Sequence, residues 1–121
     1  MTTMMQPKPK RGDVALVLFP NSDRVSAKPR PALVVQADHL QTGLSQIVVV
    51  MISSQMTRSN HPSRVTILKN SPEGQQSGLL MDSVVMTDNL ATIVFSAVYR
   101  VIGSLNMISI DSALKCTLGL D

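Results

Sequence analysis

The sequence predicts a mainly β domain: a small twisted barrel with one helix packed on it at the C-terminal end. Three observations lead there. Short apolar runs rich in β-branched residues recur between Val14 and Ile102, set apart by polar turns. Helical spacing of apolar residues marks the tail instead, at Met107, Ile110, Leu114 and Leu118. A length of 121 residues, with 44% hydrophobic and 16% charged content, suits one globular domain with a single core.

In chain order, residues 1–10 are polar, basic and proline-punctuated, the composition of a disordered arm. Residues 14–19 are a continuous apolar run closed by Pro20-Asn21, which reads as a buried strand. The polar stretch 21–29 reads as a loop, 32–36 as a second strand, and 37–45 as a turn region containing Gly43. A third strand, 46–52, is rich in β-branched residues. A second long polar loop, 53–63, carries Arg58 and His61 and no carboxylate. Residues 64–68 alternate polar and apolar, as a strand with one wet face does. Pro72-Glu73-Gly74 predicts a hairpin-type connection over 70–78. Two strands, 83–87 and 91–95, flank Asp88-Asn89, and another spans 98–102, ending at Gly103. The tail helix is polar at Asn106, Ser109, Asp111 and Lys115 and stops at Gly119. Loops 21–29 and 53–63 exceed what a hairpin needs, which makes them candidate functional surfaces.

Composition narrows the chemistry. Aromatic residues make up 2% of the chain and Trp is absent, which argues against base stacking on an aromatic platform. The net charge of +3 leans weakly toward an anionic partner. Cys116 is the lone cysteine, and with only His39 and His61 beside it neither a disulfide nor a transition-metal site is expected. The N-terminus has no apolar signal-peptide core and the run 47–52 is too short to cross a bilayer. A cytoplasmic protein without membrane contact or cofactor is the expectation.

Glu73 is the only glutamate, which leaves paired-carboxylate glycosidase chemistry little to work with. There is no G-x-S-x-G elbow and no glycine-rich phosphate loop. His39 and His61 could in principle form a two-histidine ribonuclease site, but both lie in ordinary loop sequence. What remains centres on Arg30 in Lys28-Pro29-Arg30-Pro31. Proline on both sides limits its backbone freedom and pre-organises the guanidinium for a phosphate. Ser53-Ser54 follow the third strand directly. If strands two and three are neighbours, guanidinium and hydroxyl can face one crevice. RNA cleavage needs little more, because the substrate's 2′-OH is the nucleophile and a fixed cation stabilises the charge gathering on phosphorus. The plain alternatives are an arginine pairing with a surface carboxylate and a serine pair closing a turn by local hydrogen bonds.

The ordered series Arg11-Gly12-Asp13-Val14, Phe19-Pro20, Lys28-Pro29-Arg30-Pro31-Ala32-Leu33-Val34-Val35 resembles the MazF/PemK toxins. It continues through Val48-Val49-Val50-Met51-Ile52-Ser53-Ser54, Gly78-Leu79, Asp82-Ser83-Val84-Val85, Asp88 and Arg100-Val101-Ile102-Gly103-Ser104-Leu105. The resemblance covers about residues 10–120, so the toxin domain is placed at 11–121. It implies an SH3-like barrel, a homodimer, and a metal-independent, sequence-selective endoribonuclease toxin held inactive by a cognate antitoxin. On that resemblance the catalytic arginine is Arg30, and the hydroxyl residue, usually threonine, is Ser53. Lys28, Ser54, Arg24 and Arg58 would contact single-stranded RNA, with Arg64 on the rim. Asp88 falls where some members have a base. Two positions depart from the pattern: Met86 stands where some members have arginine, and Val25 where others have an acid. Two competing readings remain. One is a non-catalytic gyrase poison like CcdB, whose aromatic ending this chain lacks; the other is an RNA-binding barrel impaired in catalysis.

Overall fold

In the computed structural model the described residues are 8–20 and 27–120. The strands are β1 (Asp13–Pro20), β2 (Ala27–Val34), β3 (Gln46–Ser53), β4 (Arg64–Ile67), β5 (Ser83–Val94) and β6 (Val98–Ser104). They pair antiparallel in one sheet of order β4-β5-β3-β2-β1-β6. The sheet is barrel-like but not closed, with β4 and β6 as its edges. Helix α1 (Pro72–Ser77) joins β4 to β5, a 3₁₀ turn (Phe95–Ala97) joins β5 to β6, and α2 (Ile108–Leu118) completes the chain.

Alternation along the strands sorts the apolar side chains onto two faces. Val14, Leu33, Val50, Ile52 and Val85 point into one core, which Ile110 and Leu114 of α2 cover. Ala15, Val17, Ala32, Val34, Val49 and Met51 fill a second core on the opposite face, together with Ile93 and Val98. Where β1, β2 and β3 cross between the two cores, at residues 14–17, 32–34 and 47–52, they read in sequence as apolar runs.

Several elements differ from the sequence expectation, each for a local reason. Strand β2 starts at Ala27 rather than Ala32, since β1 continues to pair with it out to Pro20↔Ala27. Lys28 and Arg30 therefore stand on a strand and not on a loop. Residues 70–78 form a helix, not a hairpin-type turn. Ser71 caps it by accepting from the Gly74 amide at 3.0 Å, Pro72 begins it, and Gly78 ends it at φ 75°. The two strands around Asp88-Asn89 are one strand, β5. Its register against β3 jumps from Met51↔Met86 to Val50↔Leu90, so residues 87–89 bulge out without ending it. Helix α2 begins after Met107, where the Asn106 carboxamide accepts from the Ile108 amide at 2.9 Å. Leu118, expected on its apolar face, is half exposed. Of the expected N-terminal arm, residues 1–7 lie outside the described residues. Its last part packs against the barrel: Pro9 is buried, and the Lys10 amide donates to the Asp13 carboxylate at 2.8 Å.

Candidate active site

The site starts from two prolines. Pro29 and Pro31 alternate along β2, so their missing N–H groups belong to the same edge of the strand. The β1 ladder runs unbroken through both, at Leu18↔Pro29 and Leu16↔Pro31. The missing donors therefore fall on the β3 side. Pairing of β2 with β3 accordingly stops at Ala32↔Met51, although β3 runs on to Ser53. The two strands part there and leave a notch in the sheet.

Arg30 and Ser53 flank that notch. Carried two residues past Ala32↔Met51, the register sets Arg30 opposite Ser53. Arg30 shares the strand face of Ala32 and Val34, and Ser53 that of Val49 and Met51, so both belong to the same face of the sheet. Along that face β2 passes from buried Val34 and Ala32 to exposed Arg30 and Lys28, and β3 from buried Met51 to half-buried Ser53. The core thus ends in a polar rim with two cations on one side and a hydroxyl on the other. Ser53 Oγ accepts from the Gln55 amide at 3.0 Å, which fixes the side chain as the strand ends. That bond uses a lone pair and leaves the O–H able to donate into the crevice.

The other expected site residues are placed differently. Ser54 belongs to the opposite face and lines a cavity of about 560 Å³ at the mouth of the barrel, with Leu16, Pro31, Ser83 and Arg100. Arg58 is exposed in the turn between β3 and β4, where its carbonyl accepts from the His61 amide. Arg24 and Val25 lie outside the described residues. Asp88 is not brought to the notch. It sits on the β5 bulge, beyond the Met51↔Met86 rung from Ser53, and Arg64 holds both its oxygens, at 2.8 and 3.1 Å. That hydrogen bond is the chief cause that holds the Asp88 carboxyl below the ordinary carboxylate range. Arg64 is committed to this pair rather than to the rim. Met86 is half buried between Met51 and Arg64 and packs against the second core.

His61 Nδ1 lies 2.7 Å from Ser63 Oγ and accepts from the Ser63 amide, and His39 is exposed in the turn after β2. The Arg-Gly-Asp start is structural. Arg11 donates to the Val35 carbonyl at 3.0 Å and to Asp111 of α2 at 2.5 Å. Gly12, at φ 94°, lets the chain pass against the Leu105 carbonyl. Among the described residues no group of three or more His, Cys, Asp or Glu gathers as a metal site would. Arg100 was not expected at a site. Its only sequence signal is a lone cation inside the apolar stretch Val98 to Ile102, where alternation would have set it across from Leu16.

Residues 10–117 match the family described as PemK-like, MazF-like toxin of type II toxin-antitoxin system. The chain belongs to that family. Solved structures carry the same fold at low identity. An endoribonuclease from a Mycobacterial species superposes with a TM-score of 0.69 at 21% identity, covering 97% of both chains. Another, an endoribonuclease in complex with its cognate antitoxin from a Mycobacterial species, gives 0.68 at 22%, covering 93% of this chain and 97% of that one. A MazE-MazF structure from Deinococcus radiodurans gives 0.72 at 16%, covering 96% and 100%. A PemK/MazF toxin has thus kept its fold here, with its cationic strand, Lys28 to Pro31, beside the end of β3.

Proposed function

We propose that this toxin is an endoribonuclease that cleaves single-stranded RNA by attack of the substrate's own 2′-OH. One observation carries the proposal: Arg30 and Ser53 share one face across the notch that Pro29 and Pro31 open. A phosphodiester laid there meets a guanidinium and a hydroxyl donor together. As the 2′-oxygen adds to phosphorus, negative charge grows on the non-bridging oxygens. Two donors already in place stabilise that charge without reorganising. Removing one such donor typically costs roughly 3–4 kcal/mol of transition-state stabilisation. Lys28, two residues before Arg30 on the same face, adds charge that attracts the RNA backbone. The P–O5′ bond breaks as the new P–O2′ bond forms. The products are a 2′,3′-cyclic phosphate, or the 3′-phosphate it opens to, and a 5′-hydroxyl.

The neighbouring structures named for an antitoxin complex support one further part of the reading, that a cognate antitoxin blocks this chain. That the working form is a homodimer follows from the family resemblance. An acidic antitoxin segment suits the same cationic rim that RNA uses. No helix among the described residues is long and apolar enough to cross a membrane. Arg58 and Arg24 are assigned to the RNA rim, and the reaction is assigned to the cytoplasm, where mRNA is found.

Digestion of a defined RNA in EDTA, with end-group analysis, tests the proposal. Fragments bearing cyclic or 3′-phosphate and 5′-hydroxyl ends support it. Absence of fragments from folded protein at any divalent-ion concentration contradicts it and favours the binding-only readings. Fragments with 5′-phosphate ends also contradict it.

A further inference from the structure

The notch does more than flank the candidate cleavage site, because the strand segments that bound it present residues to both faces of the sheet. On the face opposite Arg30 and Ser53 lies the barrel-mouth cavity of about 560 Å³. Two of its walls, Pro31 and Ser54, are the chain neighbours of Arg30 and Ser53. Its volume falls in the usual range of small-molecule sites, roughly 300–1,000 Å³. Leu16, Leu79 and Met81 make an apolar lining. Among the described residues that line it, Arg100 is the one that is charged and none is a carboxylate. Among the described residues Arg100 makes no ion pair. Leu80 and Met81, in the short link between α1 and β5, are 86% and 60% exposed at the rim. An apolar slot with one planar cation and two serine hydroxyls, Ser54 and Ser83, is the chemistry that takes a flat heterocycle and an adjoining phosphate.

We infer that this cavity is a nucleotide subsite: it seats the base of the RNA residue next to the scissile phosphate, with Arg100 against that residue's phosphate or ring. The inference rests on the nuclease reading for its substrate, and adds a location and a residue to it. A strand of RNA crossing the notch has its reacting phosphate on the Arg30 face and its neighbouring base on the cavity face. Sequence preference at that neighbouring position then comes from the shape of the slot. Arg30 sets the chemical rate and Arg100 sets affinity and base preference.

The test uses the full chain in two independent measurements. The first is a titration with nucleoside monophosphates, followed by methyl NMR of Leu79, Met81 and Ile102. The expected result is saturable shifts at these methyls, weakened about tenfold in Arg100→Ala, the scale of one lost charged contact. Shifts confined to residues near Arg30, or no shifts at all, overturn the inference. So does binding of an acidic peptide at the slot with no binding of nucleotides. The second measurement is cleavage of an RNA library with randomised positions around the cut. Arg100→Ala should raise KM about tenfold with kcat changed less than about threefold, and should relax preference at one flanking position. Arg100→Lys should recover part of the affinity but not the preference, since it keeps charge and loses the plane. Val101→Glu, which places a carboxylate on the wall, should weaken nucleotide binding at least as much. Unchanged KM and unchanged preference in folded Arg100→Ala overturn the inference while leaving the nuclease reading intact. Nucleotide binding in the slot by a chain that never cleaves RNA overturns the nuclease reading while supporting the subsite.

Discussion

Arg64 grips Asp88 with two parallel bonds, Nε to Oδ1 at 2.8 Å and Nη2 to Oδ2 at 3.1 Å. The pair links β4 to the bulge of β5 and occupies a carboxylate that family resemblance made a candidate base. Its consequences are electrostatic and local. The folded carboxyl is held below its ordinary value, chiefly by the Arg64 bond, so the folded chain binds this proton less tightly than the unfolded chain. The stabilisation is therefore complete above the unfolded carboxylate pKa of about 4, and is lost as pH falls through the lower folded value. With the Asp88 side chain 40% exposed, screening keeps the contribution to about 0.5–1 kcal/mol. Asp88→Asn should lower the unfolding free energy from urea titration by that amount at pH 7, and by progressively less as the pH falls below about 4. RNA cleavage by the variant should stay within about threefold of wild type. A loss of two orders of magnitude would return Asp88 to the chemistry.

Ser53 supplies a donor and little else, so its hydroxyl can be tested by substitutions of graded effect. Ser53→Ala should slow cleavage about 10²–10³-fold in single-turnover assays, as loss of one fixed donor to a developing oxyanion does. Ser53→Thr should retain most of the rate, because it keeps the hydroxyl and the added methyl suits a strand. Equal rates for Ala and wild type would remove the hydroxyl from the mechanism.

Gly78 ends α1 and touches β6. Its φ is 75°, and a Cβ there would lie 2.1 Å from the Ile102 carbonyl oxygen. Both strain and collision act on Gly78→Ala, so its stability should drop by about 3 kcal/mol or more in urea unfolding. The link from Gly78 to Ser83 also walls the barrel mouth, so the variant's residual cleavage should show altered base preference. A midpoint within error of wild type would mean that α1 does not pack on β6 as described.

On the proposed reading Lys28 and Arg30 act on RNA partly as charges, which salt reveals. Binding of an uncleavable RNA, with 2′-deoxy at the reacting position, should weaken linearly with log salt. The slope should fall by about 0.7 in Lys28→Gln, the share of one phosphate contact on a single strand. An unchanged slope would place Lys28 outside the RNA path.

The fold was legible where local chemistry and pattern agreed. Val14 to Val17 and Ile47 to Ile52 are apolar because they cross between the two cores, and the runs 14–19 and 46–52 that hold them were expected as strands. The expectation went astray where a proline or a bulge carried a double meaning. Residues 21–29 were expected as a loop because they are polar, yet Lys28 and Pro29 lie on β2, whose unpaired side tolerates proline, and the missing β3 pairing is what makes the notch. Ser71-Pro72 was expected as a turn, though a serine followed by proline is equally a helix cap. Asp88-Asn89 looked like a break between strands and is a bulge within one. At the candidate site, Arg30 and Ser53 were singled out by residue type, strand position and family resemblance, and the register sets them opposite each other. Arg100 was not, because only the pairing of β1 with β6 sets it at the barrel mouth.

The central claim is that the Arg30 guanidinium acts on the reacting phosphate, and single-turnover cleavage of a defined RNA by Arg30→Ala tests it most directly. Circular dichroism should show that Arg30→Ala is folded, while its cleavage rate falls about 10²–10³-fold and Arg30→Lys recovers only a minor part. A folded Arg30→Ala protein that cuts the same RNA at the wild-type rate would contradict the account.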